Sequence, residues 1–119
     1  MARREIVLIV EDEPLLRMLA AESIEADGYE AVEAGHADDA ILILESRPDI
    51  DIVFTDINMP GSMDGLKLAH YVRDRWPPVR IITTSGRAQL TETMLPLNSQ
   101  FLPKPYQASD LTAALHRLA

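Results

Sequence analysis

Cysteine is missing from all 119 residues, which excludes a disulfide-stapled scaffold and a thiolate metal centre. Long apolar runs are missing too. The opening segment, MARREIVLIVEDE, holds only five consecutive apolar residues before acids appear, too few for a signal-peptide core or a membrane span. Bases are scarce: 11 Lys and Arg against 19 Asp and Glu leave a net charge of −8. No basic patch stands out, so direct nucleic-acid binding is not expected. An acidic chain suits cations or basic protein surfaces as partners, and its charge also serves solubility. No internal repeat, linker or low-complexity segment interrupts the chain. These absences point to a cytoplasmic protein with no membrane partner. The length and 47% hydrophobic content predict one globular domain over residues 1–119, large enough to bury roughly two-thirds of its unfolded surface.

What is present alternates. Glu5–Val10 is a short β-branched run of the kind buried on both faces of a sheet. Pro14–Ala26 reads as a helix, with Pro14 in the first turn, Gly28 past the end, and Leu16, Leu19, Ala20, Ser23 and Ile24 on one inward stripe. Strands follow at Tyr29–Ala34, Ile50–Thr55, Val79–Thr84 and Gln100–Leu102, and helices at Ala37–Ser46, Asp64 to about Arg75, about Ala88 to Leu95, and Gln107–Leu118. Asp64 is placed to cap the third helix, and Pro96 keeps the fourth short. Strands alternating with helices predict an α/β fold: a doubly wound, three-layer sandwich around a five-stranded parallel sheet of flavodoxin-like order 2-1-3-4-5. In that order strands 1 and 3 are neighbours at the topological switch point, where ligands bind.

The strand ends there are polar. Strand 1 runs into Glu11-Asp12-Glu13, and strand 3 into Asp56. Adjacent strands lie about 4.8 Å apart, so these acids would share one crevice. Like charges that close repel, and a divalent cation relieves them; Mg2+ takes carboxylate oxygens readily. Glu11, Asp12 and Asp56 therefore read as a metal pocket, against the alternative of solvated loop acids or helix caps, which suits Glu13 better. Strand 4 ends in Thr83-Thr84-Ser85-Gly86, offering a hydroxyl, although threonine is also an ordinary strand residue. Strand 5 ends in Pro103-Lys104-Pro105, where one of only two lysines sits between stiff prolines.

The ordered set resembles the receiver domain of two-component response regulators. The residues that carry it are VEDEP at 10–14, TDINMP at 55–60, MDG at 63–65, TSG at 84–86 and KP at 104–105. The resemblance implies a phosphorylation-dependent switch. Asp56 would accept a phosphoryl group from a histidine kinase or histidine phosphotransfer protein, and the switched surface would regulate a downstream protein. Glu11, Asp12 and Asp56, with the backbone carbonyl of Asn58, would bind Mg2+ or Mn2+. Thr84 and Lys104 would bond the phosphoryl group, and Phe101 matches an aromatic that changes rotamer on activation; plain core packing is its other reading.

Three departures from the family pattern stand out. Glu11 occupies a place more often held by aspartate. Gly61-Ser62 puts one residue more than usual between MP and MDG. The segment around Pro96 predicts a stubby fourth helix, which counts against the standard homodimer built on helix 4, strand 5 and helix 5. The resemblance implies either a stand-alone receiver or a piece of a longer regulator or hybrid kinase. Other readings fit less well. An aspartate-nucleophile phosphohydrolase would carry D-x-D after strand 1, and a flavin domain would need a phosphate-cradling loop there instead of acids. An interaction module that had lost phosphorylation would not be expected to keep Asp56, Thr84 and Lys104.

Overall fold

The computed structural model describes residues 4–58, 64–86, 95–96 and 99–118. Strands β1 (Ile6–Val10), β2 (Glu30–Ala34), β3 (Ile52–Asp56), β4 (Arg80–Ser85) and β5 (Gln100–Pro103) alternate with helices α1 (Pro14–Ala26), α2 (Ala37–Ser46), α3 (Gly65–Arg75) and α4 (Ala108–Arg117). The strands form one sheet in the order β2-β1-β3-β4-β5, and every pairing is parallel, as the alternation predicts. The helix expected over Ala88–Leu95 lies, but for Leu95, outside the described residues, and so do Gly61 and Ser62.

Strand periodicity divides the core in two. Val7, Ile9, Ile52, Phe54, Ile82 and Leu102 face one side, where Ala20, Ala21 and Ile24 of α1 and Leu111, Ala114 and Leu115 of α4 cover them. Ile6, Leu8, Val10, Val53 and Ile81 face the other, under Ala40 and Leu44 of α2 and Leu68, Ala69 and Val72 of α3. β1 and β3 are buried along their whole length, whereas β2, at an edge, is only partly covered. This is the burial expected of a parallel sheet sandwiched between helical layers.

One expected packing surface is different. Leu16 and Leu19 do not join the core; they are 38% and 48% exposed, beside Leu15 at 56% and Met18 at 47%. α1 meets the sheet through the small side chains Ala20 and Ala21 and through Ile24. Its first turns stand level with the strand ends, so the leucines there overhang the edge of the sheet.

Local chemistry sets the helix starts. Asp64 caps α3 as expected, its Oδ1 accepting the Lys67 N–H at 2.9 Å. Gly28, at φ +94°, closes α1 in a conformation that favours glycine. Gly65 has a different role. Its N–H donates to the Ile57 carbonyl at 2.9 Å, and a Cβ there would drive into the Asp56 carbonyl and lie 2.7 Å from the Ile57 Cα. The start of α3 thus packs backbone to backbone on the end of β3. Gly65→Ala is expected to destabilise the fold by about 2–4 kcal/mol, because neither backbone segment can give way cheaply. Urea unfolding checks this, with a loss below about 0.5 kcal/mol as the contrary result.

Candidate functional site at the carboxyl edge of the sheet

The face that carries α1 and α4 has a simple arrangement at its upper rim. Each inward column of apolar side chains ends, one period later, in a polar residue. Val7 and Ile9 lead to Glu11, Ile52 and Phe54 to Asp56, Ile82 to Thr84, and Leu102 to Lys104. Backbone hydrogen bonds carry the ladders past the strands and hold these ends in register: Glu11 N–H to the Ala34 carbonyl at 3.1 Å, Ile57 N–H to Thr84 at 2.9 Å, and Lys104 N–H to Ser85 at 3.0 Å. Asp56 and Thr84 lie directly opposite each other.

These side chains meet. Lys104 Nζ donates to Asp56 Oδ2 at 2.7 Å and lies 3.4 Å from Glu11 Oε1. Asp56 Oδ1 accepts the Asn58 N–H at 3.0 Å, and Glu11 Oε2 accepts the Glu13 N–H at 3.1 Å. Glu11 and Asp56 are buried, Asp12 is exposed, and carboxylate oxygens from the three lie within 4.8 Å of one another. The Thr84 hydroxyl is buried and has no hydrogen-bond partner among the described residues. A buried polar group left so is uncommon and leaves the hydroxyl available to a further hydrogen-bond partner. Asn58 donates from Nδ2 to Ser85 Oγ at 2.7 Å, bridging the ends of β3 and β4. Phe101 lies half-buried on β5 opposite Thr83, away from this cluster in the register.

Electrostatics follow from the crowding. Burial, with a side-chain hydrogen bond to Asp12 and the charge of Asp56 added, raises the Glu11 carboxyl above its usual range despite the Glu13 N–H and Lys104. Burial alone would lower the Lys104 ammonium, but the hydrogen bond and charge of Asp56, helped by Glu11, raise it overall. Tyr106, which follows the cis Lys104–Pro105 peptide, packs its ring edge-on against Phe54 with centroids 5.9 Å apart. Burial raises its phenol; Glu11 and Asp56 add to this and Lys104 opposes it. Sequence reasoning missed Tyr106, and it placed Gly65 and Ser85 only within motifs, without their contacts, because those depend on which neighbours the fold brings up.

Three carboxylates in one cluster are hard oxygen donors of the type that Mg2+ and Mn2+ prefer. Their mutual repulsion and the orphaned Thr84 hydroxyl fit a site completed by a cation and an anion. Chemically, this is a carboxylate held between an ammonium and further acids, at the switch point of a doubly wound sheet.

Comparison with known proteins gives the same class. Residues 7–116 match the response regulator receiver domain family. The chain is 34% identical over 116 residues to the sensor kinase CckA of Brucella abortus, covering 94% of this chain and 12% of that protein. It is 36% identical over 112 residues to the transcriptional regulatory protein PdtaR of Mycobacterium tuberculosis, covering 92% and 54%. A response regulator receiver protein from Sinorhizobium medicae superposes with a TM-score of 0.90 at 27% identity, covering 98% of this chain and 94% of that one. The chain belongs to the response regulator receiver domain family. It spans between 12% and 54% of the length of these two curated relatives. Receiver domains generally bind Mg2+ at an acidic pocket and work with histidine kinases and downstream effectors in two-component systems.

The raised Glu11 carboxyl has a consequence for stability. The unfolded chain ionises at the ordinary carboxylate value, the folded chain only at a higher pH. Stability from this group is therefore present below the ordinary value and lost as pH rises through the raised one. Above that raised value the metal-free fold bears the full penalty. Glu11→Gln is expected to raise the melting temperature in metal-free buffer at a pH above the raised value, and a further rise on adding MgCl2 is expected in the wild type but not in the variant. Paired thermal melts check both, and a lower Tm for the variant without metal would contradict the account.

Proposed function

We propose that this chain is a phosphorylation switch in which Asp56 takes a phosphoryl group from a phosphohistidine on a histidine kinase or histidine phosphotransfer protein. The observation that carries the reading is the pair of Asp56 and Lys104 at 2.7 Å beside the acidic cluster, with Asp56 in register with Thr84, whose hydroxyl has no partner among the described residues. Asp56 is the nucleophile. One of its carboxylate oxygens attacks phosphorus, the P–N bond breaks, and its electron pair stays on the imidazole. Phosphoryl transfer asks chiefly for positioning and charge neutralisation. The Asn58 N–H and Lys104 hold the two Asp56 oxygens, and Lys104 carries its ammonium next to where negative charge gathers. Thr84 supplies a phosphoryl oxygen with a hydroxyl that has no partner among the described residues. Glu11, Asp12, Asp56 and the Asn58 carbonyl would hold Mg2+, which supplies further positive charge when bound. The phosphoryl product, at about −1.5 to −2 charges, draws Lys104 and Thr84 toward it and biases the surface around Phe101 that a downstream protein reads. All of this belongs to a cytoplasmic signalling chain.

Incubating the protein with Mg2+ and acetyl phosphate is expected to give a phosphate-sized mass gain, stable to acid, labile to base, and absent in Asp56→Asn. A gain that persists in Asp56→Asn would overturn the site. No gain in the wild type would favour a phosphorylation-independent interaction module.

The partner reading has its own support. Leu15, Leu16, Met18 and Leu19 form an exposed apolar face on α1. An open cavity of about 640 Å³ joins it to the site, lined by Leu16, Leu19, Gly86, Lys104, Pro105 and Tyr106. An apolar patch rimmed by polar groups suits a protein partner, here a helix presenting its phosphohistidine to Asp56. Leu19→Glu is expected to lower the ratio of kinase-driven to acetyl-phosphate-driven phosphorylation by roughly tenfold or more, the loss of an interface anchor. Phosphotransfer profiling provides the kinase, and an unchanged ratio would place the docking face elsewhere.

A further inference from the structure

Four strands end their inward columns in the pocket. The fifth, β2, follows the same alternation from Ala31 and ends in Glu33. Glu33 turns instead to Arg17 of α1, whose Nε donates to Glu33 Oε1 at 3.2 Å. The same guanidinium reaches into the site from behind: Arg17 Nη1 donates to the backbone carbonyl of Glu11 at 2.8 Å. The Glu11 N–H is meanwhile bound to the Ala34 carbonyl at 3.1 Å. The peptide units on both sides of Glu11 are therefore tied down, one by the end of β2 and the other by a side chain that β2 itself anchors.

We propose that Arg17 is a positioning residue: pinned by Glu33, it holds the Glu11–Asp12 backbone so that both carboxylates face the cation site. The inference rests on the reading of the acidic cluster as a Mg2+ site. Two features make the restraint matter. The Glu11 side chain is one methylene longer than aspartate and has one more rotor to fix. The loop also holds two acids that repel each other and Asp56 in the absence of the cation. Groups behind a metal's ligands commonly govern affinity as strongly as this, a change in one costing about 10–100-fold.

The bland alternative gives the opposite sign. The Arg17 and Glu33 side chains are 22% and 46% exposed, so the pair could be an ordinary surface contact with little energetic weight. In that case Arg17 is only a positive charge near a cation site, and removing it should tighten Mg2+ binding.

The experiment is an amide NMR titration of the whole chain with MgCl2 at constant ionic strength, with hydrogen exchange measured on the metal-free protein. Arg17→Gln is expected to weaken Mg2+ binding by about tenfold and to speed exchange at the Glu11 and Glu13 amides. Arg17→Lys, which keeps a donor for the Glu11 carbonyl, is expected to recover most of the affinity, a rescue that a general loss of packing would not give. Unchanged or tighter binding in Arg17→Gln overturns the proposal, as does a lysine variant as weak as the glutamine one. If Arg17→Gln folds poorly, Glu33→Ala, which removes the acceptor of the Arg17 Nε–H, decides in its place. It leaves Arg17 present but unpinned, and unaltered Glu11 exchange in that variant overturns the proposal. Absence of saturable Mg2+ shifts in the wild type would instead remove the cation reading on which the proposal rests.

Discussion

The structure turns on a carboxylate that hydrophobic columns carry to the rim of the sheet and an ammonium 2.7 Å away that lets it stay there. Strand alternation puts Asp56 on the same face as Ile52 and Phe54, so the side chain can leave the core only at its upper edge. A buried charge survives when it is paired and hydrogen-bonded, and removing one partner of such a pair costs about 3–5 kcal/mol. Asp56 has both kinds of support, Lys104 on one oxygen and the Asn58 N–H on the other. Glu11, buried beside it, accepts the Glu13 N–H but lies 3.4 Å from Lys104, and burial raises its carboxyl. The metal-free pocket therefore holds more negative charge than its one ammonium balances, a condition that a cation relieves.

The same geometry orders the surroundings. Four parallel strands ending at one level deliver an acid, an acid, a hydroxyl and an ammonium to one point, and ladder bonds beyond the strands keep those ends aligned. Gly65 lets α3 press against the Asp56–Ile57 backbone from the opposite layer. α1 starts at the same rim, so its first turns have no sheet beneath them, and the leucines there form an exposed face next to Lys104 and Tyr106. The polar cluster and the exposed apolar face thus arise from one constraint, the common level at which the strands stop.

Much of this was legible in the sequence. β-branched runs of about strand length gave the sheet, and alternation with helices gave its order, because parallel crossovers leave few alternatives. Asp56 and Lys104 were visible because charges at the ends of apolar runs break a pattern. Leu16 and Leu19 were misplaced for a physical reason: helical spacing marks an apolar stripe but does not say whether a sheet lies beneath it. The links through Gly65, through Asn58 to Ser85, and through Arg17 to Glu33 depend on contacts between segments distant in sequence or on a close backbone approach. No local pattern encodes those.

The account holds that Asp56, Thr84 and Lys104 form one phosphoryl site completed by Mg2+. Beryllofluoride, a stable mimic of an acyl phosphate, tests this directly by 19F and amide NMR. With Mg2+ present, the account predicts bound fluorine resonances together with amide shifts centred on Asp56, Thr84 and Lys104, and neither without the metal. Saturating beryllofluoride and Mg2+ that gave no bound resonance, or shifts centred away from these three residues, would contradict it.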